Sequence, residues 1–291
     1  PQLLAGEVDA LAPRAKGKRP LVVIDEVQKV PALLDVIQDV IDRGRANFVL
    51  TGSSARKLRR GAAVNLLPGR VATFRLDPFS LREVPVQDVQ DRLLYGSLPG
   101  ILAVPDVSDR ETDLESYVTT YLEEEVRAEA LVRRVGDFAR FLELAASESG
   151  QIVNLRKLSQ EIGVSHTTIG AYYQILEDCL IAERVEPLTH SKTRKKLTKS
   201  EQYLFFDLGV RRLAAREGAK PSRETVGRLF EQFVGLELVR CAHAARRPVT
   251  VRFWRDPDGP EVDWVIDQNG LYTPIEVKWT ERPGLSDARH L

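Results

Sequence analysis

The segment RPLVVIDEVQKVP, Arg19 to Pro31, decides the first reading of the chain. Four apolar residues, Leu21 to Ile24, run directly into Asp25 and Glu26. An apolar run bounded by charge reads as a fully buried strand of a parallel sheet. Two carboxylates at its C-terminal end stand where open α/β sheets place their ligands. Downstream, a helix is expected from about Ala32 to Arg43, with Leu33, Leu34, Ile37, Val40 and Ile41 on one face and Gly44 as its stop. A second apolar strand follows in ANFVLTGSS. Strand, helix and strand at this spacing make a βαβ unit with a parallel sheet. ARKLRRGAAVNLLPGR then gives a helix or loop, and VATFRLDPFS a further strand.

At 291 residues the chain is too long for one core and predicts two or three domains. No apolar run approaches the roughly 18 residues of a membrane span, and no signal peptide is visible. Cys179 and Cys241 lie far apart without metal or redox spacing, which fits a reducing cytoplasm. The net charge of zero gives no whole-molecule attraction to nucleic acid. The charge is unevenly placed, with a basic run at 192–199 and three glutamates at 123–125, read as a solvated helix face. Residue 1 is proline and no methionine occurs, so the chain is expected to be a piece of a longer polypeptide.

From Leu81 to Ala146 the pattern is helical, interrupted by YGSLPGILAVP. NLRKLSQEIGVSHTTIGAYYQILEDCL then reads as helix, turn, helix. Leu155, Leu158 and Ile162 line the first helix, Gly163 ends it, and Ser165 caps the second. IAERVEP and EQYLFFDLG alternate like two strands around the basic run, so the segment reads as a winged helix-turn-helix. A helix, TVGRLFEQFVGLELVRCAHA, and three strands, VTVRFWRD, EVDWVIDQ and YTPIEVKW, follow. The expected domains are 1–85, 86–216 and 217–291.

Asp25 and Glu26 suit nucleotide hydrolysis. The first acid holds Mg²⁺ through its water shell, and the second orients or deprotonates the attacking water. The hydroxyls of Thr51, Ser53 and Ser54 close the neighbouring strand, where they sense a γ-phosphate, and Arg70 in LLPGR neutralises developing charge. The bland alternative is an Asp-Glu pair that merely caps a loop.

LVVIDEVQKVP, FVLTGSSARKL and LLPGR together resemble the bacterial and archaeal AAA-type ATPases that bear a C-terminal domain of unknown function. YGSLPGIL, YLEEEV, YLFFDLGVRRL and GRLFEQFV extend the resemblance over nearly the whole chain. It implies a partial P-loop parallel sheet, with the Walker B strand on Leu21–Glu26 and the sensor strand on Phe48–Ser54. ATP and Mg²⁺ are the implied cofactors. The family's G-x-x-x-x-G-K-[ST] string, which supplies the backbone N–H groups and lysine that cradle phosphates, does not occur here. This polypeptide alone is therefore expected to bind ATP poorly or not at all.

In the last two strands Asp263 lies two residues after Glu261, and Glu276 two before Lys278. Period two puts Glu276 and Lys278 on one face, and an adjacent strand brings Asp263 beside them. Two carboxylates hold Mg²⁺, and the lysine activates water or stabilises charge at a scissile phosphate. This resembles the PD-(D/E)XK nuclease core, in which a preceding helix contributes another acid, here matched by Glu231 in GRLFEQF. The motif's leading proline is missing from its usual place. Only thirteen residues follow Lys278, so the closing helix and strand of that core are expected beyond Leu291. The alternative is a pair of edge strands with solvated charges.

Ser165, His166, Thr167 and Thr168 open the second helix of the helix-turn-helix, and Lys192, Arg194, Lys195, Lys196 and Lys199 form its basic wing, the residues through which DNA would be held. That helix has no Arg or Lys after His166 and carries Glu177 and Asp178, which favours a packing role over base reading. His190, His243 and His290 lack ligand spacing. The leading expectation is an ATP-dependent switch joined through the winged helix to a nuclease-like domain. The alternatives are a Mg²⁺-dependent DNA nuclease regulated by the ATPase and a non-catalytic interaction module. Oligomerisation is left open.

Overall fold

β1 (Leu21–Ile24) and β2 (Asn47–Leu50) run parallel, with Val22 opposite Phe48 and Ile24 opposite Leu50. Between them α2 (Leu33–Asp42) turns Leu34, Ile37 and Val40 inward. Leu4 and Val8 of α1 (Gln2–Leu11) pack with Val22, Val40 and Phe48 on the same side. The βαβ unit expected from the sequence is thus formed. Full burial of its first strand is not. Leu21 and Val23 remain 62% and 63% exposed, because the helices α1 and α2 cover one face of a two-stranded sheet and alternation sends every second side chain to the other.

The computed structural model describes residues 2–11, 18–52, 70–122, 135–189, 200–245, 248–256, 259–282 and 284. The chain divides into two compact units, Pro1–Phe74 with Asp178–Leu180, and Arg75–Glu177 with Ile181–Leu291. The α/β content is mixed, with one parallel and one mixed sheet. Among the described residues no helix is long and apolar enough to cross a membrane.

VATFRLDPFS does not form the expected strand. Phe74 and Leu76 are exposed, while Arg75 and Asp77 turn inward to an ionic cluster. Arg75 pairs with Asp77 at 3.0 Å and with Glu183, and His243 hydrogen-bonds Asp77 at 2.8 Å. Burial pushes the Asp77 carboxyl up, but His243 and Arg75 more than offset this and hold it below the usual carboxylate range. Pro78 offers no N–H to a ladder in any case.

The helical stretch of the second unit contains α3 (Val89–Tyr95), α4 (Pro99–Leu102) and α5 (Val107–Ser116), a π turn at Tyr117–Leu122, and α6 (Val135–Ser147). Asp88 caps α3 by accepting the Gln90 N–H, and Asp106 caps α5 by accepting the Ser108 and Asp109 N–H groups. α7 (Leu155–Ile162) ends at Gly163 in the left-handed region, and α8 (His166–Asp178) begins after Ser165, which caps Thr168 N–H. An antiparallel hairpin follows, β3 (Ala182–Pro187) and β4 (Gln202–Phe205). Phe138 and Phe141 of α6, Tyr172 and Tyr173 of α8, and Tyr203 of β4 form an aromatic core, with Tyr173 stacked on Tyr203 at 4.3 Å.

The interruption at YGSLPG is a lock. Asp207, fully buried at the N-terminus of α9 (Leu208–Ala214), accepts N–H bonds from Ser97 at 2.6 Å, Gly209 at 2.9 Å and Val210 at 3.1 Å. Burial pushes its carboxyl up, while these donors and Arg240 pull against that. Gly96 (φ +75°) and Gly209 let the two segments touch backbone to backbone.

α10 (Arg223–Ala244) lays Leu229, Phe233, Leu236 and Val239 against β5 (Thr250–Arg255), β6 (Glu261–Gln268) and β7 (Leu271–Ile275). β6 pairs antiparallel with both neighbours, and β5 pairs in parallel with β3. The result is one five-stranded sheet in the order β4-β3-β5-β6-β7. Trp264 sits fully buried beneath Gly235, where an added Cβ would stand 2.4 Å from the indole.

Candidate functional site

Two groups of side chains meet the description of a site, one in each unit. In the first, β1 ends and the backbone reverses at Glu26, which adopts a left-handed conformation (φ 53°, ψ 45°). Thr51, at the tip of β2, makes this reversal possible. Its N–H donates to Ile24 O at 3.0 Å, and its carbonyl accepts from Val27 N–H at 3.1 Å. Its hydroxyl accepts from Glu26 N–H at 3.2 Å and donates to the Asp25 carboxylate. One threonine therefore orients the first acid and pins the backbone of the second. Asp25 is exposed and its remaining oxygen lone pairs are available to a hydrated cation.

The structure places Arg70 against Asp42 at the end of α2, with 2.5 Å between Nε and Oδ1, so the described contacts do not bring it to Asp25. Ser53 and Ser54 lie outside the described residues, as do Lys192, Arg194, Lys195, Lys196 and Lys199 of the basic run and the glutamates at 123–125.

The second group gathers where α10 crosses β6 and β7. The expected last strand stops short, since β7 ends at Ile275, and Glu276 to Lys278 continue beyond the ladder. Asp263 lies next in register to Trp264, which pairs with Ile275, so it faces Glu276 across the strands. Its carboxylate accepts the Val277 N–H at 2.7 Å, taking the place of a strand carbonyl. On its other side β6 is irregular. Arg252 pairs with Val265 and Trp254 with Val262, which leaves Asp263 and Trp264 opposite Phe253 alone. Such a bulge re-aims side chains. Here Trp264 and Val265 both enter the core while Asp263 stays half-buried beside Glu276.

Lys278 pairs with Glu276 as period two demands. Glu231 reaches the group from α10, whose turn is tied to β6 by the Trp264 indole N–H donating to Glu231 O at 3.1 Å. Burial and the neighbouring Asp263, Glu261 and Glu276 push the Glu231 carboxyl up to about 7, with Lys278 opposing. Burial likewise raises Asp263, which Val277 N–H and Lys278 counter and Glu276 reinforces. Burial opposes the charge on Lys278, but Glu276, Asp263 and Glu231 offset it and hold the amine above the usual lysine range. The four residues thus act on one another electrostatically. Among the described residues no group of three or more His, Cys, Asp or Glu side chains is placed to hold a metal ion. Glu276 Oε2 is buried without a hydrogen-bond donor.

A cleft of about 500 Å³ adjoins this group, lined by α10, β5, β6, Gln202 and the loop after α6. Its glutamines, Gln202 and Gln232, and its rim arginines, Arg228 and Arg255, were not singled out from the sequence. Gln232 directly follows Glu231 in FEQF, a polar pair in a helix otherwise buried there, and that was the available signal.

Comparison with known proteins divides the chain in three. Residues 3–85 match the model of an AAA domain, 86–223 a domain of unknown function (DUF8612), and 226–291 another domain of unknown function (DUF4143). An uncharacterized protein of Mycobacterium bovis and one of Mycobacterium tuberculosis are each 26% identical over 269 residues, or 91% of this chain. The chain spans 60% of the length of these curated relatives. No solved structure matches it. Together the matches support an AAA-type ATPase family with a C-terminal domain of unknown function.

Proposed function

We propose that the chain is part of an AAA-type switch that binds and hydrolyses ATP and couples its nucleotide state to a nuclease-like C-terminal domain. The observation that carries this is the Thr51–Asp25–Glu26 clasp at the ends of two parallel strands, inside the segment similar to an AAA domain. Mg²⁺ takes oxygen ligands and keeps several of its waters, which suits one exposed carboxylate oriented by a hydroxyl. The phosphate-cradling string is not in the sequence, so the residues present fit the metal-facing half of an ATP site and not the other half. When bound, ATP with Mg²⁺ supplies a phosphoanhydride for hydrolysis. Asp25 would hold the hydrated metal, Thr51 fixes Asp25, and Glu26 would orient the attacking water and take its proton. Ser53 and Ser54 sense the γ-phosphate, and Arg70 neutralises charge once released from Asp42. The helix-turn-helix and its hairpin act as a winged helix in a packing role, since the second helix carries no Arg or Lys after His166.

Isothermal titration of the 291-residue chain should show no saturable ATP binding at millimolar concentration. A polypeptide that also carries the phosphate loop should hydrolyse ATP, and Glu26→Gln should stop turnover while sparing binding. Turnover by the 291-residue chain alone would sink the proposal.

The cluster of Glu231, Asp263, Glu276 and Lys278 favours a second reading, a Mg²⁺-dependent DNA nuclease regulated by the ATPase. Asp263 and the orphaned Glu276 Oε2 offer two carboxylates, and water with a substrate phosphate would complete a six-coordinate Mg²⁺. Lys278 would then stabilise charge on the scissile phosphate. If so, the chain nicks supercoiled plasmid with Mg²⁺, and Lys278→Ala slows this by roughly 10²–10³-fold, the usual cost of one charge-stabilising group. Unchanged nicking by that variant excludes the assignment, and no nicking by the wild type leaves an interaction module.

A further inference from the structure

A second hollow, of about 360 Å³, lies where α3 meets the start of α10 and the segment beyond β7. Half-buried Leu94, Val226 and Trp279 give it apolar walls, and Lys220, Pro221 and Arg223 of the turn into α10 close it. Unlike the cleft beside Asp263, it has no acid among its described lining residues. Trp279 is held from α10. The helix passes close to it because residue 227 is glycine, where an added Cβ would stand 4.0 Å from Trp279 Cβ. Phe230 packs T-shaped on the indole, with ring centroids 5.0 Å apart. The hollow adjoins the same indole, so its aromatic wall is in place without an occupant.

The cations at its rim are uncommitted. Lys220 and Arg223 are exposed, and among the described residues neither forms an ion pair. Arg110, Arg211, Arg212 and Arg240 of the same unit each hold a carboxylate. The turn that carries the two free cations is fixed. Pro221 restricts the backbone between them, and Ser222 caps α10 by accepting the Thr225 N–H at 3.2 Å. An apolar hollow with an aromatic wall and a few convergent polar groups is the usual form of a small-ligand site, and about 360 Å³ admits a fused ring system. The ammonium and the guanidinium then select the charge. A cation is repelled, a neutral ligand leaves both unused, and a carboxylate takes charge-assisted hydrogen bonds from each.

We propose that this hollow binds a small aromatic carboxylate, with its rings against Trp279 and its carboxylate between Lys220 and Arg223. Burial of the rings and their packing on the indole hold the body, and the two cations hold the head. The site stands apart from the ATPase and nuclease readings, because neither Asp25 nor the cluster around Asp263 lines it.

Calorimetric titration of the full 291-residue chain with naphthoate should show saturable binding. Naphthamide, of the same shape without the charge, should bind roughly tenfold more weakly, the worth of a hydrogen bond to a charged group. Lys220→Ala and Arg223→Ala should each weaken naphthoate by roughly three- to tenfold and leave the amide unchanged. Trp279→Leu should weaken both ligands alike. In a ¹⁵N spectrum of the indole N–H groups, naphthoate should shift the Trp279 resonance and leave those of Trp254 and Trp264 in place. Should Trp279→Leu prove unfolded by circular dichroism, the two cation variants and the indole spectrum carry the test. No saturable binding of naphthoate, or equal affinity for the amide, overturns the proposal. A shift confined to Trp254 or Trp264, or binding that survives Trp279→Leu and Arg223→Ala unchanged, places the ligand elsewhere and overturns it equally.

Discussion

Replacing Gly96 with alanine should lower the melting temperature of the second unit by roughly 10 °C or more, from a loss of about 4 kcal/mol. The methyl group would stand 2.0 Å from Asp207 Oδ1 and 2.4 Å from its Cγ. Nothing flexible can yield, because that carboxylate is fully buried and held by three N–H donors. The backbone at φ +75°, ψ −154° is itself a conformation open in practice to glycine alone. Moving Asp207 aside would strip the cap from α9 and leave Ser97, Gly209 and Val210 N–H groups buried without acceptors. Scanning calorimetry of wild type and variant decides it, and a shift under about 2 °C would show that the two segments are not locked as described.

Stability should also fall as pH rises from about 4.5 to about 7, and Glu231 should be a principal cause. Its carboxyl is raised from 4.5 to about 7 by burial and by Asp263, Glu261 and Glu276, with Lys278 opposing. Between those values the folded chain keeps a proton that the unfolded chain has released, so each unit of pH removes stability. The full span amounts to about 3 kcal/mol. Asp263 and Asp207, also raised, act in the same direction, whereas the lowered Asp77 loses its stabilisation only below about pH 3.8, outside this span. Glu231→Gln isolates the contribution. It should leave stability unchanged near pH 4.5 and raise it by about 2–3 kcal/mol at pH 8, read from urea unfolding at each pH. A variant that unfolds in parallel with wild type at every pH would show that Glu231 is not buried among the acids.

What could be read from sequence follows what each residue sees locally. β1, α2 and β2 announce themselves through an apolar run, a 3.6-residue period and Gly44. α7 and α8 do so through Gly163 and the Ser165 cap. Asp25, Thr51, Asp263, Glu276 and Lys278 stood out in the sequence because they are polar residues bordering apolar strand runs. The lock of Gly96 and Ser97 on Asp207 was not legible, since Ser97 and Asp207 lie 110 residues apart in sequence and only the fold brings them within contact. Nor was the bulge in β6. EVDW alternates and WVI then runs apolar, so the sequence marks a break, but that Trp264 and Val265 both enter the core follows from pairing with two unequal neighbours. Gln202 gave no pattern either, because a buried glutamine and an exposed one have the same sequence, and Gln232 was marked only by its place beside Glu231 in FEQF. The strand expected in VATFRLDPFS failed because ion pairs at Arg75 and Asp77 took its backbone elsewhere.

The sheet that runs unbroken from β4 to β7 bears on heredity. The two domains of unknown function meet between residues 223 and 226, yet β3, on one side of that seam, pairs with β5 on the other, and Leu188 N–H donates to Phe253 O at 2.7 Å. A genetic rearrangement cutting at the seam would bare the edge of β3 and the facing edge of β5, which keeps only β6 as a partner, and bare edges recruit foreign strands. Selection would discard such progeny for clumping before any loss of activity was felt. The two segments should therefore travel together through gene duplication and exchange, as one heritable piece.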